Sequence, residues 1–194
     1  MATLSQYTLY LCLVGMGGSA LWKEIAGPYD VALKHVTNCD RRGSVSFFEL
    51  MKVRKLNRTH FVCNGLLTIA VDLDDDAKLR GVAAIKGTNG RYNNVIDVEL
   101  KACDFILKFG KNIVESLIEN CDSTYVCPMK RNTCELKNWT ISHDFIDIPA
   151  LPYGEYRLDL SLLEVLQDNK KQLISCVRFY GTITPKNLNK LKKA

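Results

Sequence analysis

The chain has 194 residues, with 26 Lys and Arg against 21 Asp and Glu, for a net charge of +5. That length suits one domain with a real core. The mild positive balance does not select nucleic acid, because four lysines of the tail, Lys186, Lys190, Lys192 and Lys193, supply much of it, and the tail at 186–194 reads as a solvated end.

The first element is an apolar run from Tyr7 to Leu21, too short to span a bilayer and closing on the small residues Gly18 and Ala20. It reads as a signal peptide at 1–20 cleaved after Ala20, although no Lys or Arg precedes it. No other stretch is apolar enough to cross a membrane. The expectation is a secreted, extracellular domain at 21–185, with no stable membrane insertion and no access to nucleic acid.

Of eight cysteines, Cys12 leaves with the leader. Cys39, Cys63, Cys103, Cys121, Cys127, Cys134 and Cys176 remain, so three disulfides and one leftover thiol are expected in an oxidising compartment. A structural zinc site finds no support. There is no Cys-x-x-Cys, and His35, His60 and His143 lack ligand spacing. Two sequons, at Asn57 and Asn138, agree with secretion and mark those asparagines as surface N-glycosylation sites.

Trp22 to Thr37 has a weak pattern and reads as a lead-in to Cys39, followed by a turn at Arg41-Arg42-Gly43. Val45 to Val53 alternates but is partly apolar on both faces, and Asn57 to Thr59 ends it. From Phe61 to Val71, Phe61, Cys63, Leu67, Ile69 and Val71 share one face, with Asn64, Thr68 and Asp72 opposite. The acidic run Asp72 to Asp76 fails as a calcium loop. Such a loop needs glycine sixth and glutamate twelfth, where Ala77 and Ala83 stand.

Leu79 to Lys86 is a further strand, Gly87 to Gly90 holds an Asn-Gly turn, and Ile96, Val98 and Leu100 alternate with Asp97, Glu99 and Lys101. At Ala102 the period changes. Cys103, Ile106, Gly110, Ile113 and Leu117, flanked by Phe105, Phe109, Val114 and Ile118, recur at helical spacing, predicting one inserted amphipathic helix near 103–119.

Cys121, Cys127, the Cys127-Pro128 step and Cys134 then lead into strands near Glu135–Ser142 and, past the Pro152-x-Gly154 turn, Glu155–Val165. Gln167 to Lys170 turns the chain into a last strand, Leu173–Ile183, ended by Pro185. The pattern predicts an all-β sandwich, undivided by linker or repeat.

Asn57-Arg58-Thr59 before a long strand, Ala102-Cys103-Asp104-Phe105 at the helix start, Cys127-Pro128 with Lys130, and Leu151-Pro152-Tyr153-Gly154-Glu155-Tyr156-Arg157 occur in this order. Together these motifs resemble the ML lipid-recognition superfamily, nearest its branch of insect chemosensory-associated proteins of the Che type, over about Cys39 to Ile183. The superfamily includes the ganglioside activator and the Niemann-Pick type C sterol carrier. The resemblance implies an immunoglobulin-like sandwich holding a lipid between its sheets, with neither cofactor nor catalysis. The insect branch adds a chemosensory expectation, with a pheromone-like hydrocarbon or fatty derivative as ligand.

The resemblance also implies disulfides. Cys39 with Cys176 and Cys103 with Cys127 correspond to family pairs, which leaves Cys121 with Cys134 and Cys63 as a buried thiol. A competing arrangement joins Cys121 to Cys127 and leaves Cys103 to Cys134 or Cys63.

The candidate pocket residues are the apolar faces: Phe47, Phe61, Leu67, Ile69, Val98, Leu100, Phe105, Phe109, Tyr156, Leu158 and Leu160. Patterning marks the buried face without showing whether the space beside it is filled. No nucleophile elbow, His-Glu-x-x-His or phosphate loop suggests an enzyme. The alternative is a secreted interaction module on a receptor or channel ectodomain. Adjacent Phe47 and Phe48 favour it, since on an alternating strand one ring faces away from the core.

Overall fold

The structure, a computed structural model, describes residues 26–56, 60–142 and 151–186. The leader, the sequon at Asn57 and the tail beyond Lys186 lie outside the described residues.

Ten strands and two helices are described, in the order β1 (Ala26–Gly27), β2 (Tyr29–Gly43), β3 (Phe48–Lys55), β4 (His60–Ile69), β5 (Ala77–Lys86), β6 (Tyr92–Lys101), α1 (Ala102–Phe109), α2 (Lys111–Asn120), β7 (Asn132–Ser142), β8 (Leu151–Pro152), β9 (Gly154–Val165) and β10 (Lys171–Pro185). A five-stranded antiparallel sheet runs β2-β10-β9-β5-β6 and a three-stranded one β3-β4-β7, while β1 and β8 form a short separate pair. The fold is an all-β sandwich.

Register decides which side chains face inward, since directly paired residues share a face. On β9, Tyr156, Leu158, Leu160 and Leu162 take one face, and their partners on β5 are Ile85, Ala83, Gly81 and Leu79. Leu79 and Leu162 are both buried in the core, so this face is the inner one. The opposite face carries charge. The Arg178 fork donates to Asp159 at 2.7 and 2.9 Å and reaches Asp40 at 3.2 Å, Arg80 pairs with Asp97, and Glu155 accepts from Lys34 and Lys86. The Arg178–Asp159 pair is bidentate and nearly buried, which makes it stronger than the exposed pairs around it.

Three apolar clusters close the molecule. One gathers Ile69, Leu79, Ile106, Ile118, Leu162 and Ile174 at the helical end, where both sheets and both helices meet. A second packs α2 on the three-stranded sheet through Leu117, Cys63, Leu136 and Trp139, and the Trp139 indole donates to Ser116 at 3.1 Å. The third holds the opposite end with Leu151, Tyr156 and Ile183.

The disulfides are Cys39–Cys176, Cys103–Cys127 and Cys121–Cys134, the pairs of the first arrangement given above. Cys63 is free and buried, and burial pushes its thiol up to about 11.

Four expectations need correction. The lead-in to Cys39 is a strand: β2 pairs with β10 from Tyr29 onward, held by backbone bonds to a distant strand rather than by its own alternation. Arg41-Arg42-Gly43 ends that strand instead of turning. Gly43 has φ +81, and a Cβ there would collide with the Ile174 carbonyl. The helix near 103–119 is two helices, broken at Gly110 with φ −150 and ψ 22. Glycine lacks the helical preference to hold one straight rod, so α1 packs on β5 and β6 while α2 packs on β7.

Finally, neither Phe47 nor Phe48 faces away. The chain crosses between sheets there, and Phe47 joins the helical-end cluster while Phe48 joins the α2 cluster. The side chain left in solvent is Leu50, in a strand irregularity with φ +53.

Candidate functional site

Along the inner face of β9, exposure runs from 8 % at Tyr156 to 37 % at Leu158, and back to 0 % at Leu162. An apolar side chain in the middle of a central strand is thus the least covered, while both ends are closed. The row across the sheet through Leu158 is Val36, Phe179, Leu158, Ala83 and Ile96. All are apolar, and none is fully buried.

The next row toward the helices holds Val177, Leu160, Gly81 and Val98. Gly81 is the seat of an aromatic ring. A Cβ there would lie 2.9 Å from Cζ of Phe105 and 4.0 Å from Cδ1 of Leu158. Phe105 comes from the first turn of α1, and its ring meets that of Phe109 one turn later, centroids 5.1 Å apart. The break at Gly110 lets α1 lay these two rings across the sheet rather than along α2.

Six of the eleven sequence candidates, Val98, Leu100, Phe105, Phe109, Leu158 and Leu160, fall on this face or on the helix over it, all half-buried or more open, with Phe105 and Leu160 also packing against the helical-end cluster. The others lie elsewhere. Phe61 and Leu67 are buried on the three-stranded sheet, Leu67 against Cys63 and Trp139. Phe47 and Ile69 help close the helical end. Tyr156 closes the other end, with its hydroxyl donating to the Pro152 carbonyl at 2.9 Å and burial raising its pKa.

Sequence reading missed Phe179, Ile96, Val36, Gly81 and Ala83. A signal existed in β5, where Gly81 and Ala83 stand at the two inward positions between Leu79 and Ile85. Small residues at consecutive inward positions leave room that larger ones would fill.

Two depressions open at the helical end. One, of about 460 Å³, is walled by Asp72, Asp74, Asp76, Arg131 and Glu164; the other, of about 400 Å³, by Asp75, Lys101, Asp104 and the Cys103–Cys127 bridge. Neither includes any of the eleven candidates. Their carboxylates hold water better than an apolar ligand. Some are already engaged, with Asp72 accepting from Lys130 Nζ and the Arg131 amide, and Asp75 from Lys101. Among the described residues no group of three His, Cys, Asp or Glu side chains is gathered as a metal ion requires, and no helix is long and apolar enough to cross a membrane.

The second sequon lies on an irregularity of β7. Asn138 is exposed with φ +50, and its amide donates to the Asn64 side chain at 2.9 Å.

Residues 80–158, under half of the chain, match a family described as "Protein of unknown function (DUF1091)". The matched segment begins in β5 and ends in β9 at Leu158, so it carries both helices, four of the six paired cysteines and most of the half-open face. No curated protein matches the chain.

Proposed function

We propose that the chain is a secreted, non-catalytic protein that binds a hydrophobic ligand, a lipid or a fatty or hydrocarbon semiochemical, on the inner face of its five-stranded sheet. The observation that carries this reading is the exposure of Leu158 between fully closed ends. Apolar surface left uncovered in a sandwich interior gains roughly 25 cal/mol per Å² when a ligand covers it, so a greasy molecule needs little polar guidance there. Three disulfides are compatible with an oxidising compartment. The resemblance to the ML superfamily, and to its Che-type branch in particular, supports lipid-type cargo and chemosensation by analogy of fold and motif.

The test is mass spectrometry of an organic-solvent extract of the secreted protein after gel filtration, beside an unrelated secreted β-sandwich handled identically. A stoichiometric lipid found only with this protein is expected. An extract that matches the control, together with no binding of a solvatochromic probe, sinks the reading.

A second reading, docking on a receptor or channel ectodomain, is supported by β3. Its free edge exposes Leu50 at 86 % and nearby Leu56 at 66 %, with Lys52, Arg54 and Lys55 between them, none ion-paired among the described residues. Such a strip suits an acidic, partly apolar partner.

A further inference from the structure

On the free edge of β3, Leu50 stands at φ +53, a region leucine rarely adopts, and its side chain is 86 % exposed. The irregularity that puts it there is seated in the neighbouring strand. A Cβ at Gly65 would lie 2.9 Å from the Glu49 carbonyl oxygen and 3.0 Å from Cα of Met51, so β3 and β4 are shaped together around the bulge. Beyond it the ladder is regular from Lys52 to Lys55, and the Leu56 amide then donates to the His60 carbonyl at 3.0 Å.

That last bond fixes which way the backbone points. In an antiparallel ladder, residues bonded to the partner strand alternate with residues whose amide and carbonyl point away from it. Leu56 bonds toward β4, so Arg54 and Lys52 do as well, and the amides and carbonyls of Val53 and Lys55 point out from the free edge. The Val53 side chain, opposite Cys63, packs into the α2 cluster, which puts Lys52 and Arg54 on the outer face. Lys52, Arg54 and Lys55 are exposed, and none is ion-paired among the described residues; Glu49, the one acid of the strand, stands before the bulge. On the border strand β6 of the other sheet, by contrast, Asp97 pairs with Arg80 and Glu99 with Lys171.

We propose that β3 receives an extended, acidic segment of another protein as an added strand, bonded to the outward backbone groups of Val53 and Lys55, with its carboxylates beside Lys52 and Arg54 and apolar side chains on Leu50 and Leu56. This rests on the docking reading above and specifies its mode and its partner's chemistry. The stretch from Leu50 to Leu56 is about 20 Å long when extended, so a short segment covers it. A second copy of β3 sets like cations against each other. A sulfated glycan answers the cations but leaves the two leucines uncovered and has no alternating amides and carbonyls to offer the edge.

The experiment titrates the full-length secreted protein with a synthetic peptide of alternating glutamate and valine, with its lysine-valine counterpart and with heparin, and follows amide hydrogen exchange residue by residue. The glutamate peptide should bind, more weakly as salt rises, and slow exchange at Val53 and Lys55 while leaving the Lys52 and Arg54 amides, already bonded to β4, unchanged. The lysine peptide should not bind. Lys55→Pro removes one outward donor at a place an edge strand tolerates, and should weaken the glutamate peptide about tenfold, against about threefold for Lys55→Gln, which removes the charge alone. Lys52→Glu combined with Arg54→Glu should turn the preference toward the lysine peptide. Binding of the glutamate peptide or of heparin without slowed exchange at Val53 and Lys55, or equal binding of both peptides, overturns strand addition and leaves a docking surface standing. If neither acidic probe binds, the docking reading falls and this inference with it. The apolar-ligand reading is untouched by either result, since its site lies on the five-stranded sheet.

Discussion

The two ends of the sandwich and its middle are built from the same residue types and behave differently. At the ends, large aliphatic and aromatic side chains from several elements converge: Leu162, Ile174 and Ile106 at one, Tyr156, Ile183 and Leu151 at the other. In the middle, the strand positions facing inward are Gly81 and Ala83, and the neighbours Leu158, Ile96 and Phe179 keep contact with solvent. The difference teaches that closed packing and uncovered apolar surface are separated along the strands. The ends hold the sheets together so that the middle need not.

That separation is open to test. Replacing both Cys39 and Cys176 by alanine removes the link with the longest loop, 137 residues apart, and should lower unfolding free energy by roughly 4 to 5 kcal/mol in denaturant titrations. Leu162→Ala opens a hole in the closed end and should lower it by about 3 to 4 kcal/mol. Leu158→Ala, in the middle row beside Ala83, should lower it by only about 1 kcal/mol, because so much of the side chain is already in solvent. Apolar-probe affinity should order the two leucine variants the other way, with Leu158→Ala losing binding and folded Leu162→Ala keeping it. Equal stability losses at Leu158 and Leu162 would erase the distinction between middle and end.

The smallest effect concerns the outer face. Lys34 and Lys86 hold the Glu155 carboxylate down from 4.5 to about 2. A carboxylate whose folded pKa is depressed contributes stability above its unfolded pKa, and that contribution disappears as pH falls toward the folded value. Stability should therefore decline between about pH 5 and pH 2, and the Glu155→Gln part of that decline should be slight and vanish in high salt, because all three partners are exposed. Apolar-probe binding on the opposite face, if the proposed site exists, should not change with it.

Alternation made β4, β6, β9 and β10 legible, and with them the inward positions Val98, Leu100, Leu158 and Leu160. It did not reveal β2, whose middle exposes Lys34, His35, Thr37 and Asn38 and which exists through its pairing with a strand more than a hundred residues away. Helical spacing located the α1–α2 region but passed over Gly110, since a periodic stripe continues across a break when both halves face the same core. Phe61, Leu67 and Tyr156 share the pattern of the half-open face yet lie in closed packing, because a buried periodicity is the same whether the facing volume holds protein or stands free. Gly81 and Ala83 carried the information about volume, and they carried it by being small.

One small contact has a reach beyond its size. At the end of α2 the Asn120 side chain accepts from the Lys137 amide at 3.1 Å and donates to the Lys137 carbonyl at 3.2 Å, copying one rung of a ladder on the outer border of β7. A foreign strand arriving at that border finds its place taken. The three-stranded sheet can thus recruit a neighbour only along β3, where Leu50 bends the backbone and cations repel a like copy. A sheet that accepts company on one side forms a pair and then stops, so this half of the molecule is shielded from open-ended stacking.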